Sequence, residues 1–156
     1  MSGTEILKWM DESSFFDAFT IDEKVQLLEH SLEFFRYRKG DKVIKKGHAD
    51  QSVYLILRGS VNVESFQNRR DFVIATLKEG SLFGELSLLR EGTRLFNVIA
   101  RDSVVVMKVD VKRYEAMPHN LQLKFNDKFL EIMLERFEEM NETYAELLDS
   151  RRKEEG

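Results

Sequence analysis

The sequence predicts a mainly β fold of sandwich or jelly-roll type, with helices before it and a long helix after it. Two changes in apolar period and a set of turn residues carry that expectation. Ile6, Leu7, Trp9, Met10, Phe15, Phe16, Phe19, Val25, Leu27 and Leu28 fall at helix-like spacings. From Leu32 to Val109 the chain breaks into short runs rich in Val, Ile, Phe and Tyr, punctuated by Gly40, Gly47, Gly59, Gly80 and Gly92. After Asp110 the helical period returns. Many short strands separated by glycine turns build a double-layered or closed β architecture.

Residues 4–31 read as helical. Thr20, with Glu23 three residues on, forms a capping box for a helix running through Ser31. Strands are expected near 33–38, 42–45, 52–57, 60–66, 71–77, 95–100 and 103–109, with one short helix between the fifth and sixth. Val111 to Met117 makes a short helix that Pro118, the chain's single proline, terminates. Residues 120–149 follow as one long helix. Within it Leu130, Met133, Phe137, Met140, Tyr144 and Leu147 alternate spacings of three and four, a coiled-coil seam fit for a homodimer. The other reading is one amphipathic helix packed on its own domain. Leu134 and Leu148 flank the seam and make it wider than a strict two-stranded zipper. Segments 1–31, 32–110 and 111–156 are thus parts of a single domain, since 156 residues support one core.

Composition narrows the function. With 42% hydrophobic and 33% charged residues, the chain is an ordinary globular protein. A net charge of −4 provides no basic face for a nucleic acid. Without cysteine there are no disulfides and no thiolate metal sites. Met1 to Phe35 holds neither a signal peptide nor a membrane-length apolar run, so a cytoplasmic location is expected. Catalytic constellations are incomplete: the sequence has no nucleophile elbow, no Walker loop and no paired histidines, and His30, His48 and His119 stand apart. The expectation is a protein that is no enzyme and has no catalytic residue, metal or cofactor.

One stretch has the parts of an anion pocket: Phe83, Gly84, Glu85, Leu86, Ser87, Leu88 and Leu89, followed by Arg94. Gly84 lets backbone approach an anion, and the apolar run after it can start a helix whose free N–H groups face that anion. Glu85 can accept sugar hydroxyls. Arg94 offers a planar fork of donors suited to two oxygens of a phosphate.

These residues resemble the phosphate-binding cassette of the cyclic nucleotide-binding domain family, usually F-G-E-L-A-L-L, a short loop, then P-R-A-A-T-V. Phe83 through Leu89, then Arg94, Asn97 and Val98, match in register and without gaps. Upstream, Gly40-Asp41-Lys42-Val43-Ile44, Gly47, Val53-Tyr54-Leu55-Ile56 and Gly59-Ser60-Val61 are similar to the family's first strands and turns, so the resemblance spans roughly residues 15 to 140. It implies an antiparallel double-stranded β-helix, a jelly-roll-like β-roll, that binds a cyclic mononucleotide. By that resemblance Phe83, Gly84, Glu85, Leu86, Ser87, Arg94, Leu95 and Asn97 are the ligand-binding residues. Backbone N–H groups of Glu85–Ser87 and Arg94 would hold the cyclic phosphate, and Glu85 the ribose 2′-hydroxyl. Leu88 or Leu89 would then repack against the helix after Met117 and move the C-terminal helix.

The chain departs from the family pattern at Thr93, where proline is usual, and at Leu95-Phe96, where small or hydroxyl-bearing residues are usual. Leu95 lacks the hydroxyl that would meet a guanine amino group, so cAMP is expected over cGMP. Phe96 is expected on the opposite face of its strand, filling the core. The alternative is a degenerate fold, its pocket occupied by Leu95 and Phe96, that serves as an adaptor or dimerisation scaffold. Relatives that regulate transcription carry a helix-turn-helix after the long helix; no DNA-binding segment is expected here, and either the effector is a separate protein or the chain is excised from a longer one.

Overall fold

A computed structural model describes residues 1–85 and 92–156, which form two compact units, Met1–Gln122 and Leu123–Gly156. The first contains helices α1 (Gly3–Glu12) and α2 (Ile21–His30), eight strands, the helix α3 (Val111–Ala116) and the start of α4 (His119–Glu155). The strands are β1 (Glu33–Tyr37), β2 (Lys42–Ile44), β3 (Ser52–Arg58), β4 (Val61–Gln67), β5 (Arg70–Leu77), β6 (Leu82–Phe83), β7 (Asn97–Ala100) and β8 (Val104–Asp110).

The expected Thr20–Glu23 capping box is present. Glu23 N–H donates to Thr20 Oγ1 at 3.2 Å, and Thr20 N–H donates to Glu23 Oε1 at 3.0 Å. Ser2 and Glu5 make a second box at the start of α1, so two of the donors each helix would leave open are satisfied. The N-terminal region is not one continuous helix. Ser13 adopts an extended conformation that ends α1, and Ser14–Phe16 make a single 3-10 turn. That break lets Phe15, Phe16 and Phe19 gather in edge and stacked contacts at 5.1 to 6.4 Å between ring centroids.

The strands form two antiparallel sheets in the orders β1-β8-β3-β6 and β2-β7-β4-β5, the β-roll that the sequence predicts. Tyr54, Ile56, Val104 and Val106 on the first sheet meet Val43, Ile44, Val61, Val98 and Ala100 on the second in one core. On β3 the intervening residues Val53, Leu55 and Leu57 are buried as well, so this strand is covered on both faces. The hairpin between β4 and β5 turns through Asn68 and Arg69, both at positive φ, the backbone that a two-residue hairpin with the natural strand twist requires. The strand β6, only two residues long, was not expected; it pairs Phe83 with Tyr54 and Leu82 with Leu55.

One expectation is overturned at the start of β7. Phe96 is 37% exposed and does not fill the core. It shares the parity of the buried Val98 and Ala100, but pairing starts only at Asn97, so the sheet does not yet cover it. The short helix expected between the fifth and sixth predicted strands falls on residues 86–91, outside the described residues.

In the second unit α4 continues to Glu155 as a single helix. Leu130, Phe137, Met140, Tyr144 and Leu147 are exposed along it, together with Leu134 and Leu148. Ion pairs Lys128–Glu131, Lys153–Asp149 and Arg151–Glu155 lie on its polar side, at 3.1 to 3.6 Å. Among the described residues no helix is long and apolar enough to cross a membrane, and no group of side chains could hold a metal ion.

Candidate functional site

The site is assembled around Arg94, whose backbone is fixed by the loop between β2 and β3. Its N–H donates to His48 O at 2.9 Å, and its carbonyl accepts from Gly47 N–H at 2.8 Å. The residue is only 9% exposed. A buried guanidinium is costly unless its donors are matched. Here Nη1 donates to Gly84 O at 2.9 Å, while Nη2 donates to Ser52 O at 2.7 Å and to Asp50 Oδ2 at 3.2 Å. Nε has no partner among the described residues.

Asp50 reaches Arg94 because Asp50, Ser52 and Tyr54 alternate along the chain entering β3 and therefore share one side. The Tyr54 hydroxyl donates to Asp50 Oδ2 at 2.8 Å. Partial burial raises the Asp50 pKa, but hydrogen bonds from Ser52 and Tyr54 and the charge of Arg94 outweigh it and hold the carboxyl below its ordinary range. The same neighbourhood has the opposite effect on Tyr54: burial first, then the Asp50 carboxylate, push the phenol well above the usual tyrosine range. The pair is a neutral phenol donating to a carboxylate, with the guanidinium on the same oxygen.

The Tyr54 ring stacks on Phe83, with centroids 5.0 Å apart and planes 6° from parallel. Phe83 directly precedes Gly84, whose carbonyl takes Arg94 Nη1. A closed circuit results: Arg94 to Gly84, Gly84 along the chain to Phe83, Phe83 to Tyr54, Tyr54 to Asp50, and Asp50 back to Arg94. Gly84 is required in it by both φ and space. Its φ is +83°, and a Cβ there would lie 2.7 Å from Ser52 O and 3.1 Å from Arg94 Nη1.

The residues named from sequence are distributed as follows. Gly84 and Arg94 are brought together. Phe83 is buried in the core and supports Gly84 from behind. Glu85, half-buried, follows immediately. Leu86 and Ser87, with Leu88 and Leu89, lie outside the described residues. Leu95 is 60% exposed, so it is not packed into the interior. Asn97 directs its side-chain oxygen to the loop backbone, accepting from Lys46 N–H at 2.8 Å. Asp50, Ser52 and Tyr54 were missed; their alternation into an apolar strand was the signal that could have found them.

With both terminal nitrogens held by Gly84 O, Ser52 O and Asp50 and a buried Nε unmatched, the guanidinium fixes one positive charge against the Gly84 backbone. The family model for the cyclic nucleotide-binding domain matches residues 34–119. The cAMP-dependent protein kinase type II regulatory subunit of Drosophila melanogaster is 35% identical over 82 residues, covering 52% of this chain and 22% of that protein. Human cGMP-dependent protein kinase 2 is 30% identical over 90 residues, covering 56% of this chain and 12% of that protein. The chain therefore aligns with less than a quarter of the length of either relative. Among solved structures, a cyclic nucleotide-binding domain from Methylobacillus flagellatus KT shares the fold with a TM-score of 0.71 and 22% identity, over 87% of this chain and 78% of that one.

Proposed function

The chain belongs to the cyclic nucleotide-binding domain family, and from that premise we propose that it is a regulatory sensor of cAMP whose ligand's cyclic phosphate is held by Arg94. The observation that carries this reading is the buried, triply held guanidinium with an unmatched Nε. Such an arrangement is wasteful as a mere ion pair, because a surface carboxylate would satisfy an arginine without its desolvation. Gly84 brings backbone close to the same point, and the family resemblance assigns the ribose and phosphate contacts to Glu85 and Ser87. Leu95, exposed directly beside Arg94, offers no hydroxyl to a guanine amino group, which favours adenine. The protein acts by binding rather than by catalysis, in the cytoplasm, and relays occupancy to its C-terminal helix and from there to a separate effector. Coupling of that kind requires the two helix positions to differ in ligand affinity.

Calorimetric titration of the full chain with cAMP and cGMP tests the reading. Saturable binding with cAMP the tighter ligand is the expected result; absence of heat with both at high concentration would leave a degenerate adaptor as the better description.

The second half of the proposal is a homodimer through Leu130, Met133, Phe137, Met140, Tyr144 and Leu147. Phe137 is 61% exposed, so it contributes little to the fold of one chain and much to a pairing that buries it. Phe137→Glu is expected to leave the melting temperature of the first unit unchanged and to convert dimers to monomers in sedimentation velocity. A wild-type chain that is monomeric at every concentration removes the seam from the account.

A further inference from the structure

The net charge of −4 conceals a segregation of charge along the chain. From Glu131 to Asp149 the helix α4 carries seven carboxylates and one cation, Arg136, whereas residues 38–46 carry Arg38, Lys39, Lys42, Lys45 and Lys46 against one carboxylate, Asp41. The basic stretch comprises the turn after β1, the whole of β2 and the start of the next loop. In the sheet order β2-β7-β4-β5 it lies on an outer edge. Val43 and Ile44 are buried and anchor that edge, while all five cations around them are exposed.

Two backbone bonds add a sixth cation. Gly40 N–H donates to Ala100 O at 2.8 Å and Ala100 N–H to Asp41 O at 2.9 Å, which sets the exposed Arg101 beside the same turn. Asp41 is engaged in the turn itself, where its Oδ2 accepts from Arg38 N–H at 2.7 Å. None of the six cations has an ion-pair partner among the described residues. Lysines on an edge strand discourage edge-to-edge pairing, but only Lys42 lies in β2. The other five stand in the flanking turns, where there is no ladder to protect.

The chemistry of this row decides what it fits. Four of the six are lysines, which are depleted from protein interfaces, and no exposed apolar or aromatic side chain stands among them to centre one. A single-stranded nucleic acid needs aromatic platforms and a duplex needs a helix or ribbon that enters its groove; the edge offers neither. A charged plane needs only long, flexible cations that reach it.

We propose that the edge formed by β2 and its flanking turns binds the surface of a bilayer rich in anionic headgroups. The contact is peripheral, electrostatic and reversible, and it does not depend on the cAMP reading. Each Lys or Arg held at such a surface accounts for about a fivefold gain in affinity.

The full chain is sedimented, without nucleotide, with vesicles of phosphatidylcholine and phosphatidylserine and with vesicles of phosphatidylcholine alone. Binding to the anionic vesicles only is expected, and it should weaken as salt is raised. K42Q/K45Q/K46Q should bind about a hundredfold more weakly, by the same increment per charge. R38Q/K39Q/R101Q, which alters no strand residue, gives an independent measure of the same loss. R69Q/R70Q, at the turn beside the opposite edge of the sheet, about 14 Å or more away and beyond one Debye length, should stay within about twofold of the wild type. All of these side chains are exposed, so melting temperatures should not change. Equal binding to neutral vesicles, no binding to anionic ones, or a loss per charge in R69Q/R70Q equal to that in the edge variants overturns the proposal. Tighter binding to single-stranded or duplex DNA than to the anionic vesicles, lost in K42Q/K45Q/K46Q, overturns it in favour of a nucleic acid.

Discussion

Arg94→Ala is expected to weaken cAMP binding by about thirtyfold or more and to destabilise the unliganded protein at the same time. The two effects have different origins. Loss of a buried charged contact to the phosphate costs binding about 2 to 5 kcal/mol, at least a thirtyfold fall in affinity. Loss of the guanidinium also strips Gly84 O, Ser52 O and Asp50 of a donor at 2.7 to 3.2 Å. Removing one partner of a buried pair typically costs about 3 to 5 kcal/mol. Asp50 keeps its bond from Tyr54 and is only partly buried, so the lower end applies here. Arg94→Lys separates the contributions. A lysine restores a positive charge at one point but lacks the planar fork that meets separate acceptors from two nitrogens and presents an edge to a phosphate. It should recover part of the stability lost in the alanine variant and little of the affinity. Calorimetry gives the second quantity and thermal denaturation the first. An alanine variant that binds cAMP as tightly as the wild type would move the site elsewhere.

The same arginine shows how far the sequence could be read. Gly84 and Arg94 were legible because both lie in one short segment whose spacing is the motif. Their partners were not. Asp50 lies 44 residues before Arg94, and its alternation with Ser52 and Tyr54 marks one side of a strand without naming the distant guanidinium it will meet. The pairing of β3 with β6, which sets Tyr54 against Phe83, and the backbone bonds of Arg94 to Gly47 and His48 bring the two regions together. That pairing rests on a strand too short to have a period of its own.

The fold follows the same division. Turns rich in glycine and changes of apolar period placed seven of the eight strands to within about two residues, because those signals are local. The N-terminal region was read as helical with a new helix capped at Thr20, but the break at Ser13 was not placed, because Phe15, Phe16 and Phe19 keep helix-like spacing across it. Phe96 was assigned to the core on alternation alone. Its parity was right, but alternation says nothing about where pairing begins, and pairing begins one residue later.

Gly84→Ala is the second large effect, and Gly80→Ala is its internal control. Both glycines have φ of +83°, so an alanine at either meets the same backbone penalty of about 1 to 2 kcal/mol. Their surroundings differ. Nothing lies within 4 Å of a Cβ at Gly80, whereas one at Gly84 would lie 2.7 Å from Ser52 O and 3.1 and 3.2 Å from the two terminal nitrogens of Arg94. The guanidinium cannot yield freely, since those nitrogens are already bonded to Gly84 O, Ser52 O and Asp50. Relieving the overlap requires β3 and the Gly84 backbone to separate, at an additional cost of about 2 kcal/mol. Thermal denaturation should show a fall of roughly 10 °C for Gly84→Ala and less than half of that for Gly80→Ala. Binding should follow the same order, because separating Gly84 from Ser52 displaces the arginine that both carbonyls hold. Equal losses at the two positions would mean that the close approach carries no energy, and that Gly84 is needed only for its turn.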